Sequence, residues 1–221
     1  MTQPKQDAPA VGSLTGTKLA ALRSERLIFR DLDFHLAPGG VVVLKGPNGS
    51  GKSTLLRMVA GFLEPAEGTL VWSDRPAEDE EESRLTRICY LGHLDAVKPV
   101  FTVRENVAFW ARLSGLTDER RIDTALSRFA LDGLTDQPAR FLSAGQKRRA
   151  ALARLGVTDA PLWLLDEPTV SLDKASVAAL GSLIAEHCGR GGMAMIATHI
   201  DLGLAQYREL DLSVFAGKVA A

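Results

Sequence analysis

The chain has 221 residues, 46% of them hydrophobic and 24% charged, with Lys+Arg 26 against Asp+Glu 27. That length holds one large domain, or a domain with a small subdomain, and the near-neutral balance argues against a nucleic-acid surface built on bulk positive charge. Cys89 and Cys188 lack metal or haem-attachment spacing and read as reduced thiols of a cytosolic protein, and no apolar run approaches a membrane span, so membrane association would go through a partner.

Residues 1–16 are polar and rich in Pro, Gly and Thr, which predicts a disordered N-terminal tail without a signal peptide, ahead of one domain over 17–221. Leu27, Ile28 and Phe29, then Leu32, Phe34 and Leu36 in alternation, predict short strands ending at Pro38-Gly39-Gly40. After the apolar run 41–44 comes Gly46-Pro47-Asn48-Gly49-Ser50-Gly51-Lys52-Ser53, which fits G-x-x-x-x-G-K-[ST]. A helix predicted from Thr54 completes the strand, glycine loop, helix order that this pattern needs. The glycines let successive N–H groups turn onto an anion, and the helix N-terminus adds partial positive charge. Residues from Gly46 to Thr54 are therefore candidate contacts for a nucleoside triphosphate. Lys52 would reach its β- and γ-phosphates, and the Ser53 hydroxyl would sit on Mg2+.

Gly61 predicts the helix stop, 68–72 a strand, the acidic stretch 73–83 a solvated loop or short helix, and 88–91 a further strand. From Thr102 to about Phe141 the spacing is helical. Val103, Val107, Trp110 and Leu113 share one face, and Ile122, Leu126 and Phe129 mark a second helix capped at Thr117-Asp118. These segments predict an inserted helical subdomain at about 95–141. Strands return at 161–165 and 193–197 with a helix from Lys174 to Cys188 between them. Alternating strands and helices give an α/β domain whose parallel-rich sheet is covered on both faces.

Leu162-Trp163-Leu164-Leu165-Asp166-Glu167 leads four apolar residues into two carboxylates. Beside a phosphate loop, Asp166 suits the residue that holds Mg2+ through water, and Glu167 is placed to polarise an attacking water. Three more segments complete a set: Leu142-Ser143-Ala144-Gly145-Gln146 opening a helix, Ser171-Leu172-Asp173, and His199 after a strand ending Ala197-Thr198. In this order the motifs resemble the nucleotide-binding subunit of ABC transporters, from about residue 18 to about 215. The resemblance implies a P-loop NTPase of the ABC type, with a mixed β-sheet, flanking helices and the inserted α-helical subdomain. It further implies ATP as the nucleotide, a head-to-tail homodimer and a membrane-spanning partner subunit. Ser143, Gly145 and Gln146 would then face the γ-phosphate held by the other copy, and His199 would bond the γ-phosphate of its own chain.

Three departures from the family pattern narrow the resemblance. Arg23 stands where an aromatic ring usually stacks on adenine, and a guanidinium plane can stack there too. His93 stands in place of the expected glutamine, where a ring nitrogen can hold a water or a metal-bound oxygen. Ala144 replaces the first signature glycine, a small change if its φ is negative. With Ser24-Glu25-Arg26-Leu27-Ile28-Phe29, Tyr90-Leu91-Gly92-His93, Leu94-Asp95-Ala96-Val97-Lys98-Pro99 and Thr102-Val103-Arg104-Glu105-Asn106, these features are similar to one subfamily, CcmA. That group is called the haem exporter of bacterial cytochrome c biogenesis. It implies an ATPase dimer at the cytoplasmic face of the inner membrane, on a CcmB-like membrane subunit with CcmC- and CcmE-like proteins nearby. Leu94 to Arg104 would dock the membrane subunit, with Val97, Val100 and Phe101 around Pro99 as a groove. The competing readings are an ABC transporter ATPase for another substrate, a soluble ABC ATPase, and a module that no longer hydrolyses. The single nucleotide domain without a coiled-coil insertion weighs against the second, and Glu167 with His199 against the third.

Overall fold

The computed structural model describes residues 12–23, 26–74, 86–116 and 118–216. The described residues form two sheets. In the first, β1 (Leu14–Arg23) lies between β2 (Arg26–Leu36) and β4 (Glu67–Trp72), antiparallel to both. The alternation that predicted short strands over 27–36 forms one strand, with Asp31 in the left-handed region at φ 55° where the alternation slips between Phe29 and Leu32.

β1 corrects the expected tail over 1–16. Residues 14–16 belong to this strand, and Leu14 is buried opposite both Leu36 and Trp72. Its signal is obscured because Thr15, Gly16 and Thr17 dilute the apolar pattern. Lys18, at φ 48°, then shifts the register, so that Leu19, Ala20 and Ala21 are all buried in succession. Residues 1–11, and 75–83 of the acidic stretch, lie outside the described residues.

The second sheet is wholly parallel, in the order β5 (Ile88–Leu91), β6 (Leu162–Asp166), β7 (Met193–Ala197), β3 (Val41–Lys45), β8 (Arg208–Asp211). The parallel and antiparallel pairings expected of one mixed sheet thus fall in separate sheets. β6 and β7 are buried at every residue, which is why they read as unbroken apolar runs. β8, Arg-Glu-Leu-Asp, carries no apolar run and was not predicted. It is an edge strand, where charged side chains discourage further pairing.

Apolar side chains fill both faces of the parallel sheet. On one side α1 (Lys52–Val59) and the antiparallel sheet pack Leu55, Leu56, Phe29 and Leu32 against Leu44, Leu164 and Met195. On the other, α2 (Val103–Leu113), α3 (Glu119–Arg128), α4 (Ala144–Ala153) and α5 (Lys174–Gly189) meet Val43, Trp163, Leu165 and Ile196. The helices found between 95 and 141 share this continuous cluster with the sheet. Thr102 and Glu105 form a reciprocal capping box at the start of α2, an arrangement whose N-cap alone contributes about 1 kcal/mol. Leu113 departs from the predicted apolar face: it is 68% exposed, in the last turn beyond the reach of the core.

Candidate functional site

β3 and β6 run parallel with β7 between them, so their C-terminal ends leave the sheet on one edge, the edge where open α/β sheets bind ligands. Gly46, Gly49 and Gly51 all have φ in the left-handed half of the map, at 125°, 83° and 101°. At Gly51 a Cβ would also lie 2.8 Å from the side chains of Ile28 and Phe29, so both conformation and space demand glycine there.

The buried Lys52 ammonium donates to Gly46 O at 2.7 Å and Pro47 O at 3.2 Å, and lies 3.4 Å from His199 Nε2. Ser53 Oγ donates to Asp166 Oδ1 at 3.0 Å. The Asp166–Ala197 pairing brings the Thr198-His199 turn alongside, and His199 Nε2 is 3.7 Å from Glu167 Oε1. Glu167 holds φ at 46° while its N–H donates to Ala197 O at 2.8 Å. A cleft of about 330 Å3 is lined by Arg23, Ile28, Asn48, Gly49, Gly51, Lys52, Ser53, Thr54, Asp166 and Glu167. Arg23 reaches it from the end of β1, the strand hidden in the sequence.

Hydroxyl and carboxylate oxygens at Ser53 and Asp166 are hard donors suited to Mg2+. His93 is exposed past the end of β5 and does not line the cleft. Among the described residues no group of three or more His, Cys, Asp or Glu side chains gathers to hold a metal ion.

The signature segment stays outside this cleft. Ser143 caps α4: its Oγ accepts from Gln146 N at 3.2 Å, and its N–H donates to Gln146 Oε1 at 2.8 Å. The Gln146 side-chain oxygen is thus engaged in the cap. Ala144 opens the helix without a positive φ, and its methyl needs no glycine. At Gly145 a Cβ would meet Ser171 O at 2.8 Å, so this glycine admits the Ser171-Leu172-Asp173 turn. One polar residue escaped the sequence reading. Arg148, 3% exposed, bonds the chain just after β6. Its helical phase, four residues before buried Leu152, was the available signal.

Strand, glycine loop, helix, and two carboxylates at the exit of β6, two strands away in the same parallel sheet, define an ATPase of the P-loop kind. The sequence model of the ABC transporter family matches residues 29–170. A Rhodospirillum rubrum protein named Cytochrome c biogenesis ATP-binding export protein CcmA is 52% identical over 210 residues, 95% of this chain and 89% of that one. Its namesake from Paramagnetospirillum magneticum is 49% identical, covering 92% of this chain and 95% of its own. Among solved structures, an ATP-binding subunit of an ABC transporter superposes with a TM-score of 0.76 at 26% identity, over 85% of this chain and 79% of that one. For cbiO1 from Clostridium perfringens, part of the ABC transporter complex cbiONQ, the TM-score is 0.70 at 28% identity, over 85% and 78%. The chain belongs to the ABC transporter family as an ATP-binding, ATP-hydrolysing subunit, within the CcmA group. Such a subunit serves a membrane permease, and among the described residues no helix is long and apolar enough to cross a membrane.

Proposed function

We propose that this chain supplies ATP-driven work to an export complex of c-type cytochrome biogenesis, in haem export or in release of a haem-loaded chaperone. The observation that carries it is 52% identity across 95% of the chain to a relative so named. In this reading the loop N–H groups and Lys52 hold the β- and γ-phosphates of ATP. Asn48, Thr54 and the rest of Gly46 to Ser53 shape the same cradle, and Arg23 stacks on adenine. Ser53 Oγ and, through water, Asp166 hold Mg2+. When bound, the ion neutralises charge on the phosphate oxygens. Glu167 polarises the attacking water, and His199 bonds the γ-phosphate. Ser143, Gly145 and the N-terminus of α4 complete the site of a second copy in a head-to-tail homodimer, where helix dipole and N–H groups favour the γ-phosphate charge. The partners are a CcmB-like permease, with CcmC- and CcmE-like proteins nearby, at the cytoplasmic face of the bacterial inner membrane.

No haem-attachment motif is present in the sequence, so haem specificity would reside in the partners. Deleting the gene tests the reading. We expect c-type cytochromes to fail while b-type haem proteins form, and the wild-type gene, but not its Lys52→Ala version, to restore them. The chaperone should accumulate haem-loaded in Lys52→Ala cells, as read on haem-stained gels of membrane fractions. Normal c-type cytochromes in the deletion strain would overturn the pathway while leaving the ATPase assignment intact.

A further inference from the structure

Arg148 spends all five of its N–H donors inside the protein. Nε donates to Pro168 O at 3.0 Å, and the second terminal nitrogen to Glu167 O at 2.7 Å and Asp166 O at 3.3 Å. The first terminal nitrogen donates to Gly92 O at 3.2 Å and to Asp95 Oδ1 at 2.9 Å. Three consecutive carbonyls at the exit of β6 are thus tied to the signature helix α4 and to the segment leaving β5. The β6–β7 ladder ends at the pair Asp166–Ala197, so the sheet does not extend over the peptide units beyond Glu167. There the backbone enters the left-handed region at Glu167, φ 46°, which side-chain-bearing residues adopt only where surroundings impose it. The guanidinium bonds all three carbonyls around that residue, and its planar fork gives an angular fit that a lysine ammonium lacks.

We propose that Arg148 is a positioning residue for ATP hydrolysis. It fixes the backbone of 166–168 beneath Glu167, and through Gly92 and Asp95 it makes that placement depend on the segment joining β5 to α2. The inference rests on Glu167 being the residue that polarises water. A displacement of residues 92–95 would move the guanidinium, and with it the carbonyls that set the direction of the Glu167 carboxylate. Arg148 itself does not line the nucleotide cleft, so ATP binding should be indifferent to it.

The test uses the full chain and measures kcat, KM and direct ATP affinity for R148M, R148K and D95N, with E167Q alongside. R148M should lower kcat about tenfold or more, R148K less, and both should keep ATP affinity within about threefold, the split expected when only transition-state placement is lost. D95N removes the charged acceptor at a side chain that is 27% exposed and so tests the link even if R148M fails to fold. It should lower kcat about threefold, and the R148K/D95N pair should fall short of the product of the single effects, because both act through one contact. Wild-type kcat in folded R148K or in D95N, or fully multiplicative effects in the pair, would overturn the proposal. Normal hydrolysis by E167Q would overturn the Glu167 reading instead, so the two failures are distinct.

Discussion

Glu167 combines a strained backbone with a carboxylate 3.7 Å from His199 Nε2, beside the Ser53–Asp166 pair. A glutamine there keeps the shape and still orients water but accepts a proton poorly. Glu167→Gln should therefore bind ATP within about threefold of wild type while kcat falls about a hundredfold or more. The protein should then run as a dimer on size exclusion with Mg-ATP, and normal turnover would exclude Glu167 as the base. A different residue sets a pH limit on the fold. His187 is buried, its ring stacked on Trp163 at 3.8 Å, and Nε2 faces Pro161 O and Met193 O at 3.1 and 3.3 Å, so Nε2 carries the proton of the neutral ring. Burial pushes its pKa down from 6.5 to about 4. The unfolded chain takes up a proton near 6.5 that the folded chain refuses until about 4, so this contribution is complete above 6.5 and is lost as pH falls towards 4. Between pH 7.5 and pH 5 the loss should be about 2 kcal/mol. His187→Phe keeps a ring on Trp163 without titrating: it should be less stable at pH 7.5 yet show a flatter slope of stability against pH between 7.5 and 5, read by urea denaturation at each pH. Equal slopes would contradict the assignment.

At the scale of elements, the start of α4 is held by three contacts: the Ser143–Gln146 capping box, the Arg148 fork, and the close approach of Gly145 to Ser171 O. A methyl at Gly145 meets a backbone carbonyl, so helix and turn must separate by several tenths of an ångström. Gly145→Ala should leave monomer nucleotide binding unchanged and, if residues 143–145 face a second copy as proposed, lower hydrolysis by about tenfold or more. Full activity would show that the turn yields without consequence. The β3 strand, loop and α1 were legible because their signals are local: an apolar run, glycines where φ must be positive, and a helix behind them. The apolar strand before Asp166 and the capped helices were legible for the same reason. β1 and β8 were not. β1 breaks its own alternation at Lys18, and β8 forms by pairing with β3 despite a charged text. Lys52, Ser53, Asp166 and His199, which the fold brings together, carry motif signals in the sequence. Arg148 carries none, since an arginine between Lys147 and Arg149 looks solvated until burial distinguishes it.

At the scale of the whole molecule, an ATPase subunit of this family works on a membrane permease, and we propose that the segment between β5 and α2 is where that contact is made. Its shape is fixed from within. Asn106 Oδ1 accepts from Lys98 N at 2.7 Å, its amide donates to Thr102 O at 2.9 Å, and Arg140 N and Ala139 N donate to Pro99 O and Phe101 O at 3.0 and 2.8 Å. From this shelf Leu94 and Val100 project at 82% and 73% exposure, and the exposed Phe109, in the second half of α2, brings its ring within 6.5 Å of Phe101. Val97, expected in the sequence as part of the groove, instead packs partly buried against the main core. Aspartate at Val97 would therefore damage folding as well as docking. Val100→Asp is the cleaner test, because a carboxylate there stays in water in the free protein and is desolvated only if a partner covers it. It should shift the protein from the membrane to the soluble fraction while ATP hydrolysis by the purified chain stays within about twofold, the expectation for a surface change remote from the cleft. Retention on membranes with Val100→Asp, and again with Leu94→Asp, would place the permease contact elsewhere. Arg148, joined to Asp95 a few residues away, would then report on a loop that no partner touches.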